Sequence, residues 1–375
     1  MTNLLKTKEI KDQKYLQFNL QWVVQKTRDV FHLFGMYGEE KTVSINKDKL
    51  AFKILEEVYK NSSITRESLI SNLAEKKTTS SLALVNSKIN ALLKAKLLVA
   101  RTNDKNALNT RELERYKWQL EYFASFETEL CSRFDIQSRL KESKVVVIGL
   151  GGQGSIICQL LAAVGIGRVI GVDGDKIERS NLTRQIFFLD SDIGKLKARV
   201  MKRRIQSQNP NTKFYPVDKF LKSRKDIAKI ITGADMVVLC ADNPLVKLRE
   251  WVNEAALAAR VPYIAVSGNG VGPICVPFQT ACFECEREYY RRRYKNYENL
   301  MKSLEKSIEI PRPSFAFRPV MSGTLIALQV VKFLSRVMPV EVLAGRFELD
   351  TSLHSKFEKI LRNKNCHACG DKIKS

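Results

Sequence analysis

The sequence predicts an α/β protein: a mostly parallel sheet with helices on its faces, preceded by a small domain of mixed structure. Three observations carry this. Val145-Val-Val-Ile148 is a continuous apolar run that empties into Gly149-Leu-Gly151-Gly152-Gln-Gly154, which reads as a buried strand turning through glycines into a helix. Helix-like and strand-like runs then alternate, the order that builds a parallel sheet. In the first 100 residues the order differs: strands come first and helices follow.

A chain of 375 residues with 44% hydrophobic content suits two packed domains. The reading divides it into residues 1–105 and 106–375. No apolar run approaches the ~18 residues of a membrane span. The start, Met-Thr-Asn-Leu-Leu-Lys, turns polar too soon for a signal peptide. Cys158, Cys240 and Cys275 lie in apolar segments and read as reduced core residues, so a cytoplasmic location is expected. The net charge of +23 is spread over both domains and reads as a lysine-rich solvated surface. Nucleic acid is not the expected partner.

Along the chain, Leu16, Phe18, Leu20, Trp22 and Val24 alternate with Gln17, Asn19 and Gln21, the pattern of one half-buried strand. Val30–Phe34 and Lys41–Ile45 read as two more, with Gly35 and Gly38 between them. Lys49–Tyr59 is a helix with Phe52, Leu55 and Tyr59 on one face. Thr65 can cap a second helix over Arg66–Ala74, with Glu67 in its first turn. Val85, Ile89, Leu92 and Leu93 mark a third, and Leu97–Ala100 closes the domain as a strand. This is a winged-helix-like order. It suits a peptide clamp, where an extended peptide joins a sheet edge, a plain structural role, or DNA binding. Ser80–Lys96 offers Lys88, Lys94 and Lys96 but no arginine, which argues against reading base edges. Polar residues 101–112 read as a linker.

In the second domain, helix 153–164 is apolar and should pack on the sheet. Strand Arg168–Asp173 follows. Asp173 stands about 20 residues past the last glycine, where an acid can hold a ribose hydroxyl; a cap or turn role is the alternative. Asp175 fits a turn as well as the ribose. Asn181-Leu-Thr-Arg184-Gln185 is a polar cassette before helix 195–207, whose first turn carries Lys197. A glycine turn alone would also suit a dehydrogenase. An arginine and a lysine facing phosphates suit an enzyme that breaks ATP, where negative charge develops in the transition state. Ala234–Leu239 is a buried strand leading to Asp242 and Asn243, and ligands gather at such strand ends. Asp242 either holds Mg²⁺ there or caps helix 245–260.

Cys282-Phe-Glu-Cys285 and Cys366-His-Ala-Cys369 are two Cys-x-x-Cys pairs, the donor set of a closed tetrahedral zinc site. His367 reads as a bystander. Between them, Arg287–Pro319 reads as a basic, aromatic loop that could cover a peptide carboxylate, with Tyr289-Tyr-Arg-Arg-Arg-Tyr294, an amphipathic stretch and then Pro311-Arg-Pro; a solvated helix is the alternative. A helix from Val320 to Arg336 closes the domain.

Taken in order, the glycine turn, Asp173/Asp175, Asn181-Leu-Thr-Arg-Gln185, Lys197, Asp242-Asn243 and the two cysteine pairs resemble the ThiF/MoeB/E1-like adenylating enzymes over residues 111–370. The resemblance implies a Rossmann-like sheet and a homodimer. It implies ATP held by Gly149, Gly151, Gly152, Gly154, Asp173, Asp175, Asn181 and Gln185. Arg184, Lys197 and Asp242 would be catalytic, with ATP, Mg²⁺ and Zn²⁺ as cofactors. Two departures stand out. Trp118 occupies the place of an arginine that in the family reaches the partner subunit's site; either Lys117 or Arg115 substitutes or that contact is missing, and Trp118 itself reads as a core or interface residue or as one that stacks on a base or peptide. No cysteine lies between Glu286 and Asn365, where some members carry a thiol. With its N-terminal clamp, the layout is similar to the maturation enzymes of ribosomally made peptides, the microcin C7 and pantocin A type. That implies activation of a carboxylate on a precursor peptide bound through its leader, then attack from within the peptide. Nucleotide attachment to a peptide, and adenylation of a ubiquitin-fold sulfur carrier, are the alternatives.

Overall fold

A computed structural model describes residues 14–18, 22–35, 42–61, 64–75, 81–102, 108–127, 131–266, 268, 270–306, 314–350 and 352–371. The chain divides into two compact units, residues 1–138 and 139–375.

The first unit opens with β1 (Lys14–Phe18), β2 (Trp22–Lys26), β3 (Phe31–Gly35) and β4 (Thr42–Ile45). Next come α1 (Lys49–Lys60), β5 (Ile64–Thr65), α2 (Arg66–Glu75), α3 (Leu82–Lys94) and β6 (Leu98–Thr102). The strands form two antiparallel sheets, β5-β1-β6 and β2-β3-β4. The single strand expected over Leu16–Val24 is therefore two strands in different sheets. One alternating pattern runs through both, so alternation alone could not reveal the change of partner. Asn19, Leu20, Gln21, Gly38, Lys41 and Ser80 lie outside the described residues. Leu16, Phe31, Leu33, Ile54, Leu55, Ile64, Leu69, Ile89 and Leu98 make the core. The α1 stripe that reaches it is Ala51, Ile54, Leu55 and Val58, whereas Tyr59 stays exposed and only edges onto Phe18 and Phe31. Thr65 Oγ1 accepts from Ser68 N (3.1 Å), as the expected cap of α2.

Two short helices follow, α4 (Thr110–Arg115) and α5 (Lys117–Phe123). Asn109 and Glu112 cap α4 reciprocally, so the last residues of the expected linker are helical; 103–107 lie outside the description. Trp118 is 78% exposed, with Lys117 Nζ 5.0 Å from its ring centroid, so it is not a core residue.

After α6 (Arg133–Glu142), the second unit is a six-stranded sheet in the order β13-β11-β10-β7-β8-β9. Its strands are β7 (Lys144–Ile148), β8 (Arg168–Val172), β9 (Lys213–Val217), β10 (Met236–Leu239), β11 (Tyr263–Ala265) and β13 (Ile274–Cys275). All pairings are parallel except β11 with β13. The β10 strand is buried on both faces, which is why it is apolar throughout. The connecting helices are α7 (Gly152–Ala163), α8 (Lys197–Gln208), α9 (Arg224–Ile231) and α10 (Leu245–Ala259). Of the two readings of Arg287–Pro319, loop or helix, the helix holds over most of the described part: α11 (Phe283–Arg293) and α12 (Tyr297–Lys306), with Pro311–Pro313 outside the description. The final helix, α13, begins at Phe317 rather than Val320 and ends at Ser335; proline is tolerated in a first helical turn, and Pro319 sits there. By length and apolarity α13 passes for a membrane span, but half of it is buried and it packs along α7, as a core helix does. A small sheet of β12 (Gly270–Val271), β14 (Gly345–Leu349) and β15 (Ser355–Lys359) completes the unit.

Candidate active site and cysteine cluster

The strand ends of the parallel sheet open into a cavity of about 1070 Å³. That is at the upper end of ligand sites, ~300–1,000 Å³, and leaves room beside a nucleotide. The glycine turn forms one wall. Gly149 has φ +91°, and a Cβ there would lie 2.5 Å from Ala241 N; a Cβ on Gly154 would lie 1.8 Å from Gly149 O. Only glycines let this turn fold back on itself and bring its backbone to the cavity.

Asp173, just past β8, is 9% exposed. Its Oδ2 accepts from Leu150 N (2.7 Å) and its Oδ1 from Asp175 N (2.8 Å). Burial pushes its pKa up, against the pull of Lys197 and those two N–H groups. Lys197 is the first residue of α8 and only 5% exposed, and its Nζ donates to Asp175 Oδ2 at 2.8 Å. Arg184 Nη1 donates to Ser180 O (2.9 Å). Asn181 accepts from Glu178 N through its side chain (3.2 Å) and from the N–H of Arg184 and Gln185 through its carbonyl, so it shapes the cassette's turn. Gln185 lines the cavity, is 4% exposed, and its Oε1 has no hydrogen-bond partner among the described residues. Asp242 lies exposed at the C-terminal end of β10. The cap position of α10 is Pro244, which makes no side-chain capping hydrogen bond.

Gly149, Gly151, Gly152, Asp173, Asp175, Arg184, Gln185, Lys197 and Asp242 all line this one cavity. Gly154 and Asn181 act behind the wall, through close packing and turn geometry. These groups suit a nucleotide triphosphate: backbone N–H groups and a helix start for phosphate, acids for ribose and cation, a lysine and an arginine for charge.

In the rest of the cavity, Tyr290 and Arg318 belong to the basic, aromatic stretch expected over a peptide carboxylate, and the other residues were not foreseen. This part is lined by Lys219 and Phe220 after β9, Arg249 of α10, Glu286 and Tyr290 of α11, α12, Arg318, Arg346 of β14 and Glu358 of β15. Burial pushes the Glu286 carboxyl up, against Arg249 and Arg346. Burial also opposes ionisation of Glu358, yet Lys356 and Tyr290 hold it below the usual range. For Arg346 and Glu358 the hint in the sequence was charged residues inside strand-like Arg346-Phe-Glu348 and Lys356-Phe-Glu358.

Apart from the cavity, Cys282, Cys285, Cys366 and Cys369 meet, all buried, with their sulfurs within 4.8 Å of one another. Sγ separations are 3.9 Å (282–285), 3.8 Å (282–366) and 3.5 Å (285–369). Zn–S bonds of about 2.3 Å in a tetrahedron require sulfurs about 3.8 Å apart, so the cluster fits zinc. Hydrogen bonds from Cys282 and Cys369 hold the Cys285 thiol well below the usual thiol range, and Asn363 N also donates to its sulfur (3.3 Å). His367 points to Glu284 and stays outside the cluster.

Comparison with known proteins agrees with this geometry. The ThiF family model matches residues 116–370. The sulfur carrier protein adenylyltransferase of Thermus thermophilus is 32% identical, over 63% of this chain and 85% of the relative. The molybdopterin-synthase adenylyltransferase of Escherichia coli is 29% identical, over 70% of this chain and 98% of the relative. Among solved structures, Escherichia coli MccB with AMPCPP and MccA aligns with a TM-score of 0.73 at 24% identity, covering 95% of this chain and all of the other. A further structure with that score is the microcin C7 biosynthetic enzyme MccB in complex with N-formylated MccA.

Proposed function

The chain belongs to the ThiF family of adenylyltransferases, and from that footing we propose that it activates a carboxylate of a ribosomally made precursor peptide for peptide natural-product biosynthesis. The observation that carries the adenylating reading is the meeting of Asp173, Arg184, Lys197 and Asp242 around one glycine turn. Backbone N–H groups of the turn and the start of α7 take the triphosphate, with Gln185 beside them. Asp173 holds the ribose, with Asp175 fixing Lys197 against the phosphates. Asp242 would hold Mg²⁺, which supplies charge neutralisation on the phosphates when bound. The carboxylate oxygen attacks the α-phosphorus, and the bond to pyrophosphate breaks. Arg184 and Lys197 stabilise the charge that develops. A nucleophile then attacks the activated carbonyl carbon, and AMP leaves with the bonding electron pair.

The first 110 residues favour a peptide substrate. The MccB likeness extends over 95% of the chain, whereas the carrier-activating relatives cover 63–70% of it. In this reading, a leader adds as a strand at the edge of β4, which pairs only with β3 among the described residues. No cysteine lies between Glu286 and Asn365, so the acceptor nucleophile comes from the peptide itself, giving a crosslink or a ring. Zinc held by Cys282, Cys285, Cys366 and Cys369 ties the C-terminal segment to the start of α11 as a structural site. We take the working form to be a homodimer in a reducing cytoplasm, to which eight free thiols are suited. Adenylation of a sulfur carrier is the second reading, favoured by the 32% identity to the Thermus enzyme. Nucleotide analysis tests the shared chemistry: with Mg²⁺ and a peptide acceptor, ATP should yield AMP and pyrophosphate. Production of ADP and phosphate instead would refute it.

A further inference from the structure

Asn363 stands between the cysteine cluster and α11, and every polar group it has is engaged there. Its N–H donates to Cys285 Sγ (3.3 Å) and its Nδ2 to Glu288 Oε2 (2.5 Å). Its Oδ1 accepts from Asn365 N (2.9 Å) and its carbonyl from Cys366 N (3.1 Å). One residue thus touches a cysteine of each pair and the helix that carries the first pair. An amide side chain can donate to Glu288 and accept from Asn365 at once, whereas a carboxylate only accepts. The cluster calls for such a neighbour. Four thiolates outweigh the charge of Zn²⁺, so the filled cluster is a buried anion, costly unless donors face its sulfurs. Asn363 N faces one of them, and Ala368 N another, 3.4 Å from Cys366 Sγ.

The two segments that meet at the cluster also meet in the cavity. In α11, Glu286 follows Cys285 and faces Arg346 Nη1 of β14 at 3.5 Å. One turn on, Tyr290 OH donates to Glu358 of β15 at 3.0 Å. Among the described residues β15 pairs with β14 alone. Its other ties run to α11, through Tyr290 at Glu358 and through Asn363 just beyond the strand. Asp173 and Lys197 belong instead to the β8–α8 side of the cavity and make none of these contacts.

We propose that Asn363 couples metal occupancy of the cluster to the charged side of the cavity. With metal bound, Asn363 clamps the segment after β15 onto α11, and the clamp keeps Glu358 on Tyr290. This rests on the zinc reading above and gives the cluster a task besides stability. Loss of metal loosens β15 and α11 and leaves the nucleotide side as it was.

The test uses the full chain, chelator competition for zinc, and hydrogen–deuterium exchange. Asn363→Asp sets a carboxylate against Glu288. It should hold zinc roughly 10–100-fold less tightly, the scale for losing an outer partner of a metal ligand. Exchange should rise in α11 and β15 and stay unchanged in β7 and α7. Glu288→Gln keeps an acceptor for Asn363 and should behave as wild type. Combined with Asn363→Asp, it restores the hydrogen bond with its direction reversed, and should recover zinc affinity and protection. Wild-type chain stripped of zinc should show the same local rise while still binding a non-hydrolysable ATP analogue. Unchanged zinc affinity in Asn363→Asp overturns the proposal, as do unchanged protection of β15 in the stripped chain, an equal rise in β7 and α7, or no recovery in the double variant. Wild-type protein that binds no zinc would sink the zinc reading, and the proposal with it.

Discussion

Asp173 spends both carboxylate oxygens on backbone N–H groups, one from the glycine turn and one from its own. The acid read from its spacing as a ribose holder thus also pins the turn that faces the phosphates. Because burial raises its pKa, the folded chain takes up this proton at a higher pH than the unfolded chain does. Folding therefore gains from Asp173 as pH falls through the folded pKa and loses that gain as pH rises. Nucleotide binding should run the other way, since the protonated acid is a poorer acceptor. ATP affinity should fall from neutral toward mildly acidic pH, and Asp173→Asn should bind weakly with a flat profile; calorimetry at several pH values checks both. The charged groups make a second prediction. Arg184→Ala and Lys197→Ala should each slow ATP turnover by roughly 100-fold, the scale for one preorganised charge. Asp242→Ala should abolish Mg²⁺-dependent turnover with the thermal melt unchanged. Wild-type rates in all three would mean the site lies elsewhere. Motif spacing made these residues legible. It could not show that Asn181 acts on its own turn, because the same amide serves a ligand or a backbone N–H equally well.

At the scale of elements, buried parallel strands announce themselves as apolar runs, and β7 and β10 were legible for that reason. Helices α11 and α12 stayed open between loop and helix. Tyr289–Tyr294 is too charged to show an apolar stripe, and its order comes partly from contacts distant in sequence, such as Tyr290 with Glu358. The split of Leu16–Val24 between two sheets was hidden likewise, since pairing partners are nonlocal. The cysteine pairs, by contrast, were legible across about 80 residues because metal ligands impose a fixed spacing. Purified protein should carry about one zinc per chain. Stripping it with a chelator, or Cys366→Ser, should lower the melting temperature, because bound metal contributes folding free energy. A metal-free preparation of unchanged stability, or a disulfide within either pair, would contradict the assignment.

At the scale of the molecule, the two units divide the labour in this account: the sheet domain activates a carboxylate, and the N-terminal domain chooses whose. The fold class was legible from element order alone, whereas the charged side of the cavity was not, since β14 and β15 bring its acids and bases in from the far end of the chain. The central claim is that ATP is spent on a peptide's carboxylate. Exchange of labelled pyrophosphate into ATP measures that step directly, because reversal requires an acyl adenylate to exist. The full chain with ATP, Mg²⁺ and a cognate precursor should show exchange that depends on the precursor and is suppressed by an excess of its leader alone. Exchange that ignores the leader, or that appears only with a carrier protein ending in Gly-Gly, would contradict the account.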